Sequence, residues 1–292
     1  MNAFTIKDLE NLSGIKAHTI RIWEQRYHFL NPQRTETNIR YYSNSELKTV
    51  LNIALLNKYG FKISHIDKMT ADVMNEKILS LSQIEAQQER LVNELINCMI
   101  DMNIDLFETK LEDYILSKGI ERTVIQIIFP FLERIGILWL TNHINPGQEH
   151  LVTNIVRQKL LVGIENIKLT PPYKSTAVLF LPEGEHHELG ILFAYFLLKA
   201  KGIKVIYVGA NIPIKDIEFI AQYKKPNFLY CHLTSVAHNF NFEKFLVNAQ
   251  NRLPEFPVVV SGAVTLNYKK RVPNNVSLKK SLSEVMDYIS TC

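Results

Sequence analysis

The chain has 292 residues, enough for two or three domains, and 33 Lys and Arg against 29 Asp and Glu give a formal net charge of +4. Its three cysteines, Cys98, Cys231 and Cys292, lie far apart without a CxxC pair, which argues against a disulfide framework and a thiolate zinc site. No apolar run approaches the roughly 20 residues of a membrane span, and the N-terminus lacks a signal peptide's apolar core, so we expect a cytoplasmic protein without a membrane partner.

The positive charge is concentrated in the first quarter of the chain. Residues 1–70 contain ten Lys and Arg but six Asp and Glu, and the rest of the chain is balanced. This asymmetry indicates a segment that binds nucleic acid, joined to a part with another role. A chance distribution of four charges is the alternative.

Two short helices are predicted at the N-terminus. Thr5, three residues before Asp8, is a candidate helix cap, and Gly14 is expected to end the first helix. In the second helix, Ile20 and Trp23 share an apolar face. Two helices joined by a tight turn are typical of a helix-turn-helix, although many helical hairpins in ordinary cores have the same pattern.

A polar loop rich in Arg and Tyr follows, and Ser43 or Ser45 can cap the next helix. Arginine pairs with phosphate through two nitrogens, and a tyrosine hydroxyl adds a further donor, so such a loop suits contact with a nucleic-acid backbone. The plainer alternative is a solvated loop.

The segments HTIRIWEQRY (18–27), P-x-R (32–34) and RYYS (40–43) together resemble the winged helix-turn-helix of MerR-type transcription regulators. The resemblance covers about residues 4–70. It implies that the helix at 17–27 enters the major groove of promoter DNA and that the following wing contacts phosphates. Trp23 is expected in the core. The implied DNA-binding residues are His18, Thr19, Arg21, Gln25, Arg34, Arg40, Tyr41 and Tyr42.

The pattern changes twice further along the chain. Four amphipathic helices with short connections predict a four-helix bundle, the fourth helix beginning around Leu151 and Ile155. Later, short apolar runs alternate with helical stretches, which predicts an α/β domain with a doubly wound, Rossmann-like parallel sheet. The predicted domains are residues 1–72 (winged helix-turn-helix, all-α), 73–84 (linker), 85–170 (four-helix bundle) and 175–292 (α/β domain).

The sequence EGEHHELG, residues 183–190, lies between the first predicted strand of this sheet and a helix. Ligands of such sheets bind at the carboxyl ends of strands. In the spacing E-x-H-x-x-G, a carboxylate at 185 can hold one nitrogen of His187 while the other faces a metal, and Gly190 would let the helix approach a bulky ligand. A solvated loop histidine is the alternative.

Glu185, His187 and Gly190 resemble the D-x-H-x-x-G signature of cobalamin-binding domains, with Glu in place of Asp. That family has S-x-L after the third strand, where this chain has Thr234-Ser235-Val236. It has Gly-Gly after the fourth strand, where this chain has Ser261-Gly262. By this resemblance His187 is the lower axial ligand of cobalt, and Ser261 adds a side chain where the family's glycine admits the nucleotide tail.

A third motif lies in the predicted bundle. Trp139, nine intervening residues, then Glu149 and His150 resemble the W-x9-E-H of cobalamin-dependent, light-sensing MerR-type regulators of carotenoid genes. The resemblance implies that these three residues cover the upper face of adenosylcobalamin. In those relatives a histidine follows the tryptophan and caps cobalt after illumination. Leu140 stands there in this chain, and the nearby His143 does not match the position, so we expect no equivalent photoproduct.

The sequence therefore predicts a transcription regulator, a repressor, whose DNA binding or oligomerisation as a dimer or tetramer depends on a corrinoid. No nucleophile–base pair or carboxylate pair is evident, so we expect no enzymatic turnover. Two alternatives stay open. The same fold can be controlled by a regulatory protein partner without cobalamin, or the chain can be a corrinoid carrier for a methyltransferase.

Overall fold

The computed structural model describes residues 4–27, 29–140, 144–235 and 240–292, with the side chains of 137–140 also outside the description. The chain divides into two compact units, Met1–Ile155 and Val156–Cys292. The first is helical apart from a small two-stranded sheet, and the second is built on a parallel sheet. The predicted multidomain fold class is confirmed.

Helices make up most of the first unit, and the last of them runs on into the second unit. The helices are α1 (Ile6–Ser13), α2 (Ala17–Arg26), α3 (Asn44–Lys58), α4 (Ile63–Ile66), α5 (Ala71–Leu79), α6 (Ile84–Ile100), α7 (Ile104–Lys118), α8 (Ile120–Thr123), α9 (Phe129–Leu140) and α10 (Pro146–Asn166). A π-helical segment, Val124–Ile128, joins α8 to α9. The two strands are β1 (Gln33–Arg34) and β2 (Arg40–Tyr41).

Local capping defines the first helices. The side chain of Thr5 accepts a hydrogen bond from the backbone of Asp8, whose carboxylate bonds back to the backbone of Thr5. Gly14 ends α1 with φ +73°, a left-handed conformation that glycine adopts without strain. Ser43 caps α3 in the same reciprocal way with Glu46. The predicted helix start at Thr5 and stop at Gly14 are confirmed.

The core beneath these helices contains Trp23, which is only 4% exposed, as predicted. Tyr42 is fully buried, and its backbone pairs with that of Phe4. Its proposed contact with DNA is therefore wrong, because a side chain with no exposed surface cannot reach a phosphate. Successive residues of an extended segment point to opposite faces, so Tyr41 and Tyr42 do not share an environment.

The predicted linker at 73–84 is largely helical. Thr70 caps α5 by accepting a hydrogen bond from the backbone of Val73. Ile78 and Leu81 are buried in the same cluster as Trp23. This polar segment has only two buried apolar residues, so its sequence shows only a weak helical period. Packing against the core of the helix-turn-helix stabilises the helix.

The predicted bundle corresponds to α6, α7, the combined α8–α9 segment and α10. Phe107 of α7 and Phe131 of α9 are both buried and lie 5.5 Å apart between ring centroids. The fourth helix begins earlier than expected, at Pro146. Leu151, which was expected on its buried face, is 43% exposed, and Val152 is buried instead.

In the second unit, the described residues contain five strands in one parallel sheet of order β4-β3-β5-β6-β7. The strands are β3 (Thr176–Pro182), β4 (Lys204–Ile212), β5 (Phe228–His232), β6 (Val258–Ser261) and β7 (Val276–Lys279). The helices are α11 (Leu189–Ala200), α12 (Ile214–Lys224), α13 (Phe242–Arg252), α14 (Ala263–Leu266) and α15 (Leu282–Thr291). The fifth strand, β7, was not predicted, because its short, half-buried sequence ends in lysines.

Side chains of β5 alternate between the two faces of the sheet. Leu229, Cys231 and Leu233 belong to the apolar cluster that includes residues of α12 and α13. On the opposite face, Phe228 packs edge-on against Tyr288 of α15. The chain moves from β3 outward to β4 and then back to β5 on the other side. The topological switch point, where ligands of such sheets bind, therefore lies between the carboxyl ends of β3 and β5.

All three cysteines are free thiols, with Cys98 and Cys231 buried. Among the described residues, no helix combines the length and apolar character that a membrane crossing requires.

Candidate functional site

The exposed face of α2 carries the side chains that were predicted to contact bases. His18, Arg21 and Gln25 are all exposed and lie on one side of the helix, opposite the buried Ile20 and Trp23. Thr19 is half-buried at the edge of this face. The exposed side chains of α2 are therefore accessible, as those of a helix that enters a DNA groove must be.

The wing is tied to α2 through an acidic residue that sequence reasoning missed. Nε of Arg40 donates to both carboxylate oxygens of Glu24, each at 3.0 Å, while Arg40 remains 26% exposed. Arg34 pairs with Arg40 across the two strands, and its Nη1 donates to Asn38 at 2.7 Å. Glu24 thus fixes Arg40 and leaves the rest of its guanidinium available for a phosphate.

The two wing tyrosines differ in environment. The hydroxyl of Tyr41 donates to Oε1 of Gln33 at 2.5 Å on the wing surface. The hydroxyl of Tyr42 faces Glu24 from the inside, at 3.5 Å. Burial, and then the negative charge of Glu24, raise the pKa of Tyr42 to about 12. Tyr42 therefore supports the wing from the core, and Tyr41 is the tyrosine on its surface.

In the helical unit, Glu149 and His150 interact directly. Oε2 of Glu149 lies 2.7 Å from Nδ1 of His150, whose side chain is 69% exposed. His150 also lines an open cavity of about 570 Å³ together with Met102, Gln148 and Leu151. The side chains of Trp139 and Leu140 lie outside the described part of the structure, as do His143 and Val236, so their predicted roles stay predictions.

The loop after β3 is organised by the carboxylate of Glu185, which is completely buried. Oε1 accepts hydrogen bonds from the backbone N–H groups of His186 at 2.8 Å and His187 at 2.9 Å, and it lies 2.6 Å from Nδ1 of His187. Oε2 accepts from the backbone N–H groups of Thr234 at 2.7 Å and Ser235 at 2.9 Å. One side chain therefore joins the carboxyl ends of β3 and β5, the two strands of the switch point.

The imidazole of His187 has a fixed orientation. Its Nδ1 faces Glu185, so Nε2 is the nitrogen on the side where a metal would bind, and the side chain is 57% exposed. Burial alone would raise the pKa of Glu185, but hydrogen bonds from His187 and Ser235 lower it, and the net shift is downward. Glu185 is therefore a charged acceptor at neutral pH, which favours a hydrogen bond from Nδ1 and the basicity of Nε2.

Ser261 is the last residue of β6, and Gly262 follows it. Ser261 is 1% exposed, and its Oγ lies 2.7 Å from the hydroxyl of Tyr230 and 2.8 Å from Nδ1 of His232. Gly262 has φ +103°, and an added Cβ would lie 2.3 Å from the carbonyl oxygen of Leu233. Gly262 is thus required by the packing of this chain on itself.

Gly190 has an unexpected neighbour. An added Cβ at this position would lie 2.3 Å from Nε2 of His232, so the missing side chain is matched by the ring of that histidine. Burial lowers the pKa of His232 to about 4, an effect that Glu185 partly opposes. His232 was not singled out from the sequence. The available signal was its place in the alternation Phe228, Tyr230, His232, which directs all three rings to one face of the sheet.

These residues satisfy one requirement of a corrinoid and leave another unmet. Glu185 and His187 form the oriented acid–imidazole pair that an axial cobalt ligand needs. The space beside Gly190, in contrast, is filled by His232, and the space beside Gly262 by the backbone of Leu233. The donor set fits cobalt, while the interior next to the two glycines offers no room in this conformation.

Two family models match the chain, and both matches begin in its first unit. Residues 4–72 match the family described as "MerR HTH family regulatory protein", and residues 91–162 match "B12 binding domain". The chain is 26% identical over 91% of its length to the HTH-type transcriptional repressor CarA of Myxococcus xanthus, covering 89% of that protein. It is 23% identical to the repressor CarH of the same organism, over 91% of each chain.

Among solved structures, a monomethylamine corrinoid protein of Methanosarcina barkeri is similar in fold. The TM-score is 0.55 at 12% identity, with 70% of this chain and all of that chain covered. At this level of identity the similarity concerns the fold alone.

Proposed function

We propose that this chain, in which a MerR-type helix-turn-helix domain is joined to a B12-binding domain, is a DNA-binding transcriptional repressor controlled by a bound corrinoid. It is homologous to the repressors CarA and CarH over 91% of its length. The repressor function is inferred from these relatives, and the binding of a corrinoid is inferred from the match to the B12-binding domain.

The observation that carries the corrinoid part is the hydrogen-bonded pair of Glu185 and His187. A metal-ligating histidine almost always gives its other nitrogen to a carboxylate or carbonyl, which fixes the ring and its tautomer. Nδ1 of His187 has such a partner at 2.6 Å, and the side chain is exposed at the switch point of the sheet. His187 is our proposed axial ligand, oriented by Glu185.

We further propose Glu149, His150 and Trp139 as corrinoid contacts of the helical unit, on the basis of their motif. The exposed pair of Glu149 and His150, next to an open cavity, supports this assignment for two of the three. Adenosylcobalamin is the form that we propose. When bound, it supplies a cobalt–carbon bond whose cleavage can change the state of the regulator.

For DNA, we propose base contacts from His18, Arg21 and Gln25, with Thr19 at the edge of the same face. Arg34, Arg40 and Tyr41 are the proposed phosphate contacts. These side chains are exposed or, for Thr19, Arg40 and Tyr41, half-buried, which supports the assignment, and the buried Tyr42 is excluded from it. Sequence is read by side chains in the groove, whereas phosphate contacts set position and affinity.

Three further properties complete the proposal. A homo-oligomer, a dimer or tetramer, would match the paired half-sites that helix-turn-helix regulators recognise. The chain itself would perform no enzymatic turnover, in keeping with relatives that are named as repressors. A protein that binds promoters acts where the DNA is, and the cytoplasm is the compartment that we propose.

Two histidine variants test the proposal. Purified in darkness with adenosylcobalamin, the wild-type protein and His186→Ala should retain the corrinoid spectrum, and His187→Ala should lose it. Loss of the oriented pair is expected to weaken corrinoid binding by at least about 10–100-fold. Electrophoretic shifts of promoter DNA with and without corrinoid should then differ for wild type but not for His187→Ala. Retention of the spectrum by His187→Ala, or methyl transfer without DNA binding, would contradict the proposal.

One observation favours a second candidate, a regulator of the same fold that is controlled by a partner protein without cobalamin. The ring of His232, held by Ser261, fills the space beside Gly190, and the backbone of Leu233 fills the space beside Gly262. If this candidate is right, none of the corrinoids tested will change the spectrum of the wild-type protein, while binding to promoter DNA will persist.

A further inference from the structure

Three aromatic rings of β5 fill one side of the sheet, from the amino end of the strand at Phe228 to its carboxyl end at His232. Phe228, Tyr230 and His232 alternate along the strand and therefore project to the same face. Phe228 meets Tyr288 of α15 at 5.6 Å between ring centroids, and Tyr230 is 1% exposed. The space between the sheet and its covering helices is thus occupied by the chain's own side chains.

Hydrogen bonds hold the rings of Tyr230 and His232 in place. Oγ of Ser261, on the neighbouring strand, lies within hydrogen-bonding distance of both the Tyr230 hydroxyl and Nδ1 of His232. Ser261 pairs with His232 in the register of β5 and β6. The Ser261 hydroxyl provides a partner both for the buried Tyr230 and for the half-buried His232, so the cluster is stable without a ligand.

His232 also contacts the start of α11. A Cβ added at Gly190, the second residue of α11, would lie only 2.3 Å from Nε2 of His232. A group entering the domain below His187 would have to pass between Gly190 and β5. The ring of His232 stands in that path.

We propose that His232 closes this interior, so that the domain binds a corrinoid by its ring, through His187 at the rim, without inserting the ligand's nucleotide tail. This inference rests on the proposed corrinoid function and specifies the ligand class. Cobalamin carries a benzimidazole on its nucleotide tail, which competes with His187 for the lower face of cobalt. Cobinamide, the corrinoid that lacks the nucleotide, has no such competitor and needs no interior space.

The consequence is an unusual order of affinities. A domain that buries the tail gains its apolar contacts and binds cobalamin more tightly than cobinamide. A domain closed by His232 gains nothing from the tail, so cobinamide should bind at least as tightly as cobalamin. Removing the ring should restore the advantage of the tail, because Gly190 would then border an open space.

The test compares adenosylcobinamide and adenosylcobalamin, titrated in darkness and followed by visible absorbance. For wild type, we expect cobinamide to bind as tightly as cobalamin or more tightly. In His232→Ala, the affinity for cobalamin should rise by about tenfold or more, while the affinity for cobinamide stays within about threefold of its wild-type value. Contacts of the nucleotide tail in the space opened beside Gly190 can supply a gain in affinity of about tenfold. His232→Ser, which keeps a hydroxyl near Ser261, serves as the second variant if His232→Ala fails to fold. His186→Ala is the matched control and should change neither affinity.

The outcomes separate this inference from the proposed function. A wild-type protein that prefers cobalamin by about tenfold or more would overturn the inference while leaving the function intact. If wild type binds neither corrinoid but His232→Ala binds cobalamin, the inference is overturned, because the closed wild-type domain would then not hold a corrinoid by its ring. If no variant binds either corrinoid while promoter DNA is still bound, both the corrinoid part of the proposed function and the inference fail.

Discussion

Glu185 and Thr234 are 49 residues apart, yet Oε2 of Glu185 accepts a hydrogen bond from the backbone N–H of Thr234 at 2.7 Å. The other oxygen of the same carboxylate orients His187. The proposed axial ligand is therefore connected to the loop that follows β5 through one buried side chain. A shift of either loop would move the carboxylate and with it the imidazole.

Replacing Glu185 with glutamine tests this connection. The amide of Gln would turn an NH2 group toward backbone donors, and each buried donor left without an acceptor costs about 1–3 kcal/mol. We expect a lower melting temperature and corrinoid binding weaker by about 10–100-fold, the usual effect of losing the partner of a metal-ligating histidine. Visible titration and thermal unfolding measure the two effects.

Glu183→Gln is the matched control, because Glu183 lies in the same loop but is exposed. It should leave both corrinoid affinity and the melting temperature unchanged. Equal corrinoid affinity for Glu185→Gln and Glu183→Gln would contradict the role assigned to Glu185.

The two glycines differ in what surrounds them, and a double mutant reveals the difference. Gly190→Ala should destabilise the protein by about 1–3 kcal/mol, because its methyl group would overlap the His232 ring. Adding His232→Ala should recover part of that loss. Gly262→Ala meets the backbone of Leu233 at a positive φ, so His232→Ala should not rescue it. Denaturant unfolding of the single and double variants gives the coupling energies, and equal coupling for both glycines would argue against this packing.

The motif at 185–190 could be predicted from the sequence because its residues are close together. E-x-H-x-x-G gives the spacing of an acid and an imidazole on one loop, and the structure brings Glu185 and His187 within 2.6 Å. The second half of the Glu185 network could not be predicted in this way. Its partners, Thr234 and Ser235, are backbone groups on another strand, and only the strand order brings them near.

The errors in the wing and the linker have physical causes as well. Tyr41 and Tyr42 are chemically identical, but neighbours in an extended chain face opposite sides, so they could not both face DNA. The segment containing α5 has too few apolar residues to show a clear period, yet Ile78 and Leu81 bury themselves against the Trp23 cluster. In both segments tertiary packing determines which side chains are buried, and composition alone does not show this.

The two tyrosines provide a matched pair for DNA binding. Tyr41→Phe removes a hydroxyl from the wing surface and should weaken binding to promoter DNA modestly, by the worth of one hydrogen bond, about 0.5–1.5 kcal/mol. Tyr42→Phe removes a hydroxyl that faces Glu24 in the interior and should leave DNA affinity unchanged. Fluorescence anisotropy with labelled promoter DNA measures both. A larger loss of DNA affinity for Tyr42→Phe than for Tyr41→Phe would contradict the assignment of Tyr41 as the tyrosine that contacts DNA.

Two arginines should separate affinity from sequence preference. Arg40→Ala should weaken binding to all sequences alike and reduce the slope of log affinity against log salt by about one, as expected for one lost phosphate contact. Arg21→Ala should also relax sequence preference. Lys118→Ala, which removes one exposed charge from α7, is the control and should leave the slope unchanged. An unaltered slope for Arg40→Ala would contradict the assignment of the wing.

The last prediction concerns acid stability and follows from the enclosure of the half-buried His232 between Ser261 and Gly190. Its pKa is about 4 in the folded protein against about 6.5 in an unfolded chain, so the unfolded state takes up a proton first as the pH falls. By linkage, stability is complete above about pH 6.5 and is lost as the pH falls from there to about 4. A shift from about 6.5 to about 4 corresponds to at most about 3–4 kcal/mol. His232→Gln removes the titrating group while keeping a polar side chain near Ser261, and all other acids are the same in both proteins. The free energy of unfolding is measured in denaturant between pH 7 and pH 4. As the solution becomes acidic, it should fall more for wild type than for His232→Gln. Parallel curves would mean that His232 is not enclosed in the neutral form, and the closed cluster with Ser261 would lose its support.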